Sequence, residues 1–328
     1  MRAIKLVLLI LGGGLLGVLV YRVGAEPILE TLRRLAWWQF GLVCLPYAAV
    51  MAADTLGWRY AFARDRAPFL RLYGARLAGE ALNVVTAIGA VGGEAAKAWL
   101  VRRDVTYAES VPSVVIAKTT ITMAQALFLL IGLVLARATL PVDSDVLRAM
   151  LWLLVVEVLA VGGFVVGQLS GLVARGGRLL RMFGLVENIA YAETLDRALR
   201  DYYWKEGRRL GLSLGFHLVG WLLGALEVVL ILWALGVDAS VPTATVLEAL
   251  GSGVRFVTFL VPASLGPFEA ANAVAFAALG YGAGAGLAFS LVRRARQAVW
   301  IVIGIVVLLA MRSSAGRQPT ARESEPVA

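Results

Sequence analysis

Cysteine and histidine are almost missing from this chain: 328 residues hold one of each, Cys44 and His217. A single cysteine excludes a disulfide framework and any thiolate metal cluster. A single histidine excludes His-rich zinc and di-iron sites, so neither metal nor cofactor is expected. Charge is scarce too, with 16% Asp, Glu, Lys and Arg against about 25% in soluble domains. Hydrophobic residues make up 60% of the chain and its mean hydropathy is +0.79. No single soluble core absorbs that excess, which excludes a cytosolic enzyme, a secreted module and a disordered region. The chain belongs in a bilayer. Its net charge of +9 fits cytoplasmic loops that face anionic lipid, so membrane lipids are the expected partners and nucleic acid is not.

Apolar runs near the spanning length of about 20 residues occur at roughly 4–22, 38–62, 107–136, 147–170, 209–235 and 286–311. The first lacks a small-x-small cleavage site and reads as a retained span. Two further stretches, 77–103 and 243–283, are interrupted by Gly, Pro and charge. The 59–76 segment carries Arg59, Arg64, Arg66, Arg71 and Arg76 against Asp65, and the 171–209 segment holds eight basic residues against five acidic ones. Segments 24–36 and 137–148 are balanced, and 236–242 carries only Asp238. The positive-inside rule therefore puts the two basic segments and the N-terminus in the cytoplasm. The mixed stretch around 178–206 reads either as an amphipathic helix on the inner face or as a plain connecting helix. The polar tail, 313–328, is expected to be disordered and cytoplasmic.

The two broken stretches resemble each other. Gly92-Gly93-Glu94-Ala95-Ala96-Lys97-Ala98 and Gly266-Pro267-Phe268-Glu269-Ala270-Ala271-Asn272-Ala273 align at an offset of 175 residues. At the same offset Glu80 corresponds to Arg255, Trp58 to Trp233 and Lys118 to Arg293. An internal repeat follows, with halves of about 38–136 and 209–311. Since 38–62 runs inward and 209–235 outward, the halves are inverted. The expected architecture is all-α and polytopic, a transmembrane domain over 1–312. It has about six full spans, two re-entrant hairpins and both termini in the cytoplasm.

Irregular backbone survives at membrane depth only where it lines a cavity or is buried in protein. The breaks at 89–93 and 262–267 each lead to a Glu at an expected helix start. Glu94 and Glu269 are then either simple helix-start residues or part of half-helix N-termini that attend an anionic headgroup. Glu80, Asn83, Lys97, Lys118, Arg255, Arg293, Arg294 and Arg296 are the other polar groups at this depth. Six cations against Glu80, Glu94 and Glu269 suit a phosphate or other anionic headgroup. The competing reading is that pairs such as Glu80–Arg255 only pin helices together. Arg293, Arg294 and Arg296 lie either inside the last span or in a loop that breaks it. Asp54, Glu227 and Glu157 stand as isolated acids within spans, His217 as a packing residue, and Trp37, Trp38, Trp58, Trp99 and Trp204 as interfacial belts.

Ala78-Gly79-Glu80-Ala81-Leu82-Asn83 followed by Val91-Gly92-Gly93-Glu94-Ala95-Ala96-Lys97-Ala98 resembles a signature of the lysylphosphatidylglycerol synthase transmembrane, or flippase-like, family. Met123-Ala124-Gln125-Ala126-Leu127-Phe128, the stretch from Arg255-Phe256 to Phe268-Glu269, and Ser290-Leu291-Val292-Arg293-Arg294-Ala295-Arg296 look like its hopanoid-biosynthesis-associated branch. The resemblance covers about residues 5–312. It implies a protein of the bacterial inner membrane that moves lipids between leaflets, with no soluble synthase domain and no synthase activity. Two features depart from the family pattern. Thr86-Ala87-Ile88-Gly89-Ala90 lacks the usual Pro, and Lys97 stands where Arg is frequent, which weakens a bidentate phosphate grip there. The expected function is transport of an anionic or polar-headgroup lipid, not enzymology, because no nucleotide-binding or catalytic motif is present. The rivals are a membrane-embedded lipid transferase using Glu94 or Glu269 as base, and a non-transporting scaffold for envelope-lipid synthesis. A homo-oligomer stays open.

Overall fold

In the computed structural model, residues 2–65, 67–85, 90–182 and 190–316 are described, and among them there are helices and no strands. The N-terminal helices are α1 (Arg2–Val23) and α2 (Ala25–Arg33). Next, α3 (Trp37–Cys44) and α4 (Pro46–Ala61) form one apolar span, Trp37–Ala61, bent where Pro46 opens α4. Proline has no N–H to continue the helical ladder, which accounts for the break. The chain continues through α5 (Phe69–Val85), α6 (Ala90–Leu100), α7 (Tyr107–Thr139), α8 (Asp145–Leu169), α9 (Leu172–Met182), α10 (Ala190–Lys205) and α11 (Gly207–Ala234). It ends with α12 (Val241–Val257), a 3-10 turn (Pro262–Ser264), α13 (Pro267–Ala278) and α14 (Ala283–Gly316).

Five segments are long and apolar enough to cross a membrane: Trp37–Ala61, Tyr107–Thr139, Asp145–Leu169, Gly207–Ala234 and Ala283–Arg312. The sixth apolar run of the sequence is α1, a continuous helix of 22 residues. By contrast α5, α6, α12 and α13 have 17, 11, 17 and 12 residues. At 1.5 Å per residue none reaches the ~30 Å of a hydrocarbon core.

The short helices pack crosswise between the halves of the chain. α5 lies along α14, and α12 along α7. Both contacts depend on glycine: a Cβ on Gly304 of α14 would lie 2.5 Å from the carbonyl oxygen of Leu77, and one on Gly132 of α7 would lie 2.2 Å from Cβ of Ala249. Lipid tails offer helices no hydrophobic incentive to associate, so close approach of small residues carries much of the attraction. Within the first hairpin the approach is closer still, since a Cβ on Gly93 would meet the Gly79 carbonyl at 2.1 Å. The apolar core divides among a cluster centred on α7, α8, α11, α12 and α14, a second on α4, α5, α6, α7 and α10, and a small third on α2, α13 and α14.

Three sequence expectations need correction, and one alternative left open is decided. Gly92 and Gly93 are helical, since α6 starts at Ala90, so Glu94 lies in its second turn and not at its start. Residues 86–89 of that break lie outside the described residues. Arg293, Arg294 and Arg296 occupy no loop: α14 runs unbroken through them and continues past 312 to Gly316; residues 317–328 of the tail lie outside the described residues. The 178–206 stretch is divided between α9 and α10, with 183–189 outside the described residues. The apolar face of α10, Leu199 and Tyr202, is buried against the α4–α7 cluster and not left for lipid. The Tyr202 hydroxyl donates to the Tyr60 carbonyl (2.8 Å), and burial raises its phenol above the ordinary tyrosine value. Trp58 is no belt residue either, for it is 1% exposed and its indole N–H donates to Ser113 Oγ (3.1 Å).

Candidate functional site

A cavity of about 420 Å³ opens between α4, α5, α7, α11, α12 and α14. Apolar residues such as Val50, Met51, Ile121, Trp221 and Phe268 share its walls with an unusual density of charge. On one side Asp54 (α4), Arg76 and Glu80 (α5) form a chain. Arg76 Nη2 donates to Asp54 Oδ2 at 2.9 Å and lies 3.9 Å from Glu80 Oε1. Lys97 Nζ on α6 then donates to Glu80 (2.8 Å) and to Glu94 (3.0 Å). Asn83 closes the hairpin, accepting from the Gly93 N–H at 2.9 Å. At the other end of the chain, His217 Nδ1 lies 2.9 Å from Asp54 Oδ1.

The opposite wall is built from α11, α12, α13 and α14. Arg293 bonds Glu248 through both terminal nitrogens, and its Nε lies 3.7 Å from Glu227. Glu227 also accepts from Arg296 Nη2 (2.7 Å), and Glu248 from Arg255 Nη2 (3.0 Å). Glu269 sits in the first turn of α13, where its Oε2 accepts from the Gly266 N–H (2.7 Å) and its Oε1 from Arg294 Nε (2.8 Å). Gly266 takes φ = 90°, a conformation that glycine adopts without a Cβ penalty. Beside it Ala263 and Ser264 both hold φ = 52°. Such left-handed backbone in non-glycine residues costs energy and persists where neighbours enforce it. Here Arg294 Nη1 donates to the Ala263 carbonyl at 2.6 Å. Phe268 and Tyr47 complete the wall, with Arg255 and Arg294 over the Phe268 ring and Arg296 over the Tyr47 ring.

Every carboxylate in this ensemble is therefore engaged by a cation, as burial among apolar helices requires. The expected pairing of Glu80 with Arg255 does not form; Glu80 belongs to Lys97 and Arg255 to Glu248. The expected excess of six cations over three acids is also too large. Asp54, Glu227 and Glu248 join the acids and Arg76 joins the bases, which gives seven cations against six carboxylates. The remaining cation is Lys118. It projects from α7 into the cavity, is exposed there, and makes no ion pair among the described residues. Neither Glu94 nor Glu269 holds it, and Arg293 is the partner of neither. Orphan donors point the same way: Arg76 Nε and Arg296 Nε are buried without hydrogen-bond partners.

Sequence reading missed Arg76 as a site residue because it closes a run of loop arginines. It missed Glu248 because nothing marked it. A signal existed for both: Glu80 follows Arg76 by four residues and Arg255 follows Glu248 by seven, each placing opposite charges on one helix face. His217 was expected to pack; it bonds Asp54 instead.

The match with known proteins extends beyond these motifs. A family model described as the lysylphosphatidylglycerol synthase TM region matches residues 3–305. The chain belongs to that family. It is thus a membrane protein of a family associated with lipid handling, and the match takes in the helices from α1 into α14. No curated protein and no solved structure matches the chain.

Proposed function

We propose that this member of the lysylphosphatidylglycerol synthase transmembrane family moves the polar head of an anionic lipid, hopanoid-type lipids included, across the bacterial inner membrane. The observation that carries this reading is Lys118, a cation without a carboxylate at a cavity whose other charges are paired. A phosphodiester entering the cavity brings the one negative charge that the ensemble lacks, and charge-assisted hydrogen bonds offset its desolvation. Glu80, Asn83, Glu94, Lys97, Arg255, Glu269, Arg293, Arg294 and Arg296 hold the walls to either side. The acyl tails stay in lipid while the head crosses, so the protein transports and does no chemistry.

The architecture that suits this task is an inverted repeat. Span α3–α4, hairpin α5–α6 and span α7 correspond to α11, α12–α13 and α14. The crosswise contacts of α5 with α14 and of α12 with α7 are the pairing a two-fold axis in the membrane plane generates. With α1 as a sixth span, both hairpins re-enter and both termini lie in the cytoplasm.

The test is transbilayer movement of fluorescent phosphatidylglycerol in proteoliposomes. Lys118→Gln should slow it about tenfold or more, since a hydrogen bond between charged groups contributes ~1.5–3 kcal/mol. Equal rates in wild-type and protein-free vesicles, for phosphatidylglycerol and hopanoid-type lipids alike, would overturn the reading.

A further inference from the structure

Two buried acids of the described residues take no part in the cavity, Asp196, which accepts from the Ala174 N–H, and Glu157. Glu157 lies at the midpoint of α8, with twelve residues of helix on either side, or about 18 Å to each end. Most of α8 faces outward, and Val155, Val156, Val158 and Leu159 beside it are exposed. Glu157 itself is 0% exposed, and neither of its carboxyl oxygens has a hydrogen-bond partner. Leu153, one turn earlier and so on the same face of α8, packs in the seam with α7 and α12, where it meets Gly253 of α12 beside Leu129 of α7.

The charged groups of the helices packed on α8 are engaged elsewhere. Lys118 of α7 faces the cavity and Arg137 is exposed near the end of that helix. Glu248 and Arg255 of α12 bond each other, and Glu269 of α13 bonds Arg294. The helices α9 and α10 meet α8 at Gly167 and Gln168, ten residues or more beyond Glu157. Of their charges, Arg178 pairs with Glu193 and Lys205 with Asp201, and Asp196 accepts from the Ala174 N–H. An ionised carboxylate at this place would carry a desolvation cost of several kcal/mol with no partner to offset it.

We propose that Glu157 is a proton-binding site. In this conformation it is loaded, and the proton leaves when α8 parts from α7 and α12 and admits water. The same α12 carries Glu248 and Arg255 to the cavity, so the proton and the cavity ligand act on one helix. This linkage rests on the reading of the cavity as a transport path; the proton site does not.

The full-length protein in phosphatidylcholine–phosphatidylglycerol vesicles is treated with dicyclohexylcarbodiimide and mapped by peptide mass spectrometry. The reagent takes the acid proton onto its nitrogen while the carboxylate adds to its central carbon, and in an apolar seam without water or amines the resulting O-acylisourea shifts its acyl group from oxygen to nitrogen, leaving the stable N-acylurea. The expected adduct is on Glu157, at least tenfold above Asp54, Glu227 or Glu248, declining as pH is raised and absent from E157Q. A native protein unlabelled at Glu157, when the acid-denatured protein labels there, overturns the proposal. In a second arm, an imposed pH gradient changes the rate of lipid movement in wild type and not in E157Q; an equal response in both overturns the linkage. Wild-type protein that moves no lipid but labels at Glu157 overturns the cavity reading and leaves the proton site standing.

Discussion

Arg293 and Glu248 are each other's main partner: without Arg293, Glu248 keeps only Arg255, and without Glu248, Arg293 keeps only the longer contact to Glu227. Breaking a buried pair from one side costs about 3–5 kcal/mol, whereas replacing both members with apolar residues often costs little. Glu248→Ala should therefore lower the unfolding temperature in detergent by many degrees. The Glu248→Leu/Arg293→Leu double variant should recover part of the loss, though not all, because Arg255 and Glu227 also lose a partner. Differential scanning fluorimetry of the two variants checks this, and a double variant worse than the sum of its singles would contradict it. Lys118 should behave in the opposite way. It has no carboxylate to strand, so Lys118→Gln should leave the unfolding temperature within about 2 °C of wild type while transport falls. The sequence announced the ionisable residues as unusual, but not their partners. Asp54 meets His217 across 163 residues and Arg296 meets Glu227 across 69. No local pattern encodes contacts of that span, and only the folded chain chooses among the cations available.

At the scale of elements, apolar length was legible because hydrocarbon thickness leaves few choices. The runs at 38–62, 107–136, 147–170, 209–235 and 286–311 agree with five spanning helices to within a few residues at nearly every end. Glu94 and Glu269, which align in the sequence, sit in different local structures. Glu269 caps α13 behind Gly266 and Pro267, while Glu94 has a full helical turn before it. Glycine marked a break in one case and a contact in the other: Gly93 lies within helix α6, and the Gly79 carbonyl leaves no room there for a side chain between α5 and α6. Gly93→Ala should accordingly cost about 1–3 kcal/mol, the ordinary penalty for overpacking. Chemical denaturation in mixed micelles measures it, and an unchanged midpoint would mean that the hairpin yields more easily than its backbone contact suggests.

For the molecule as a whole, the proposed topology is open to direct measurement. In a Cys44→Ser background, cysteines placed at Arg64 and Lys205 should be shielded from an impermeant maleimide in intact cells. Cysteines at Asp143 and Asp238 should react. Labelling of both sets from outside would overturn the inverted arrangement. The crosswise packing has a further consequence, in the order of events during synthesis. Leu77 and Ala81 of α5 find their contact, Gly304, only after more than two hundred further residues have been made. At ribosomal speeds of about 5–20 residues per second, that delay is on the order of 10–40 s. Glu227 and Glu248 wait as well, for Arg293 and Arg296 are among the last intramembrane groups to appear. A nascent chain must therefore shelter naked carboxylates and a half-finished hairpin until α14 inserts, and the translocon or a membrane chaperone is where that shelter has to be found.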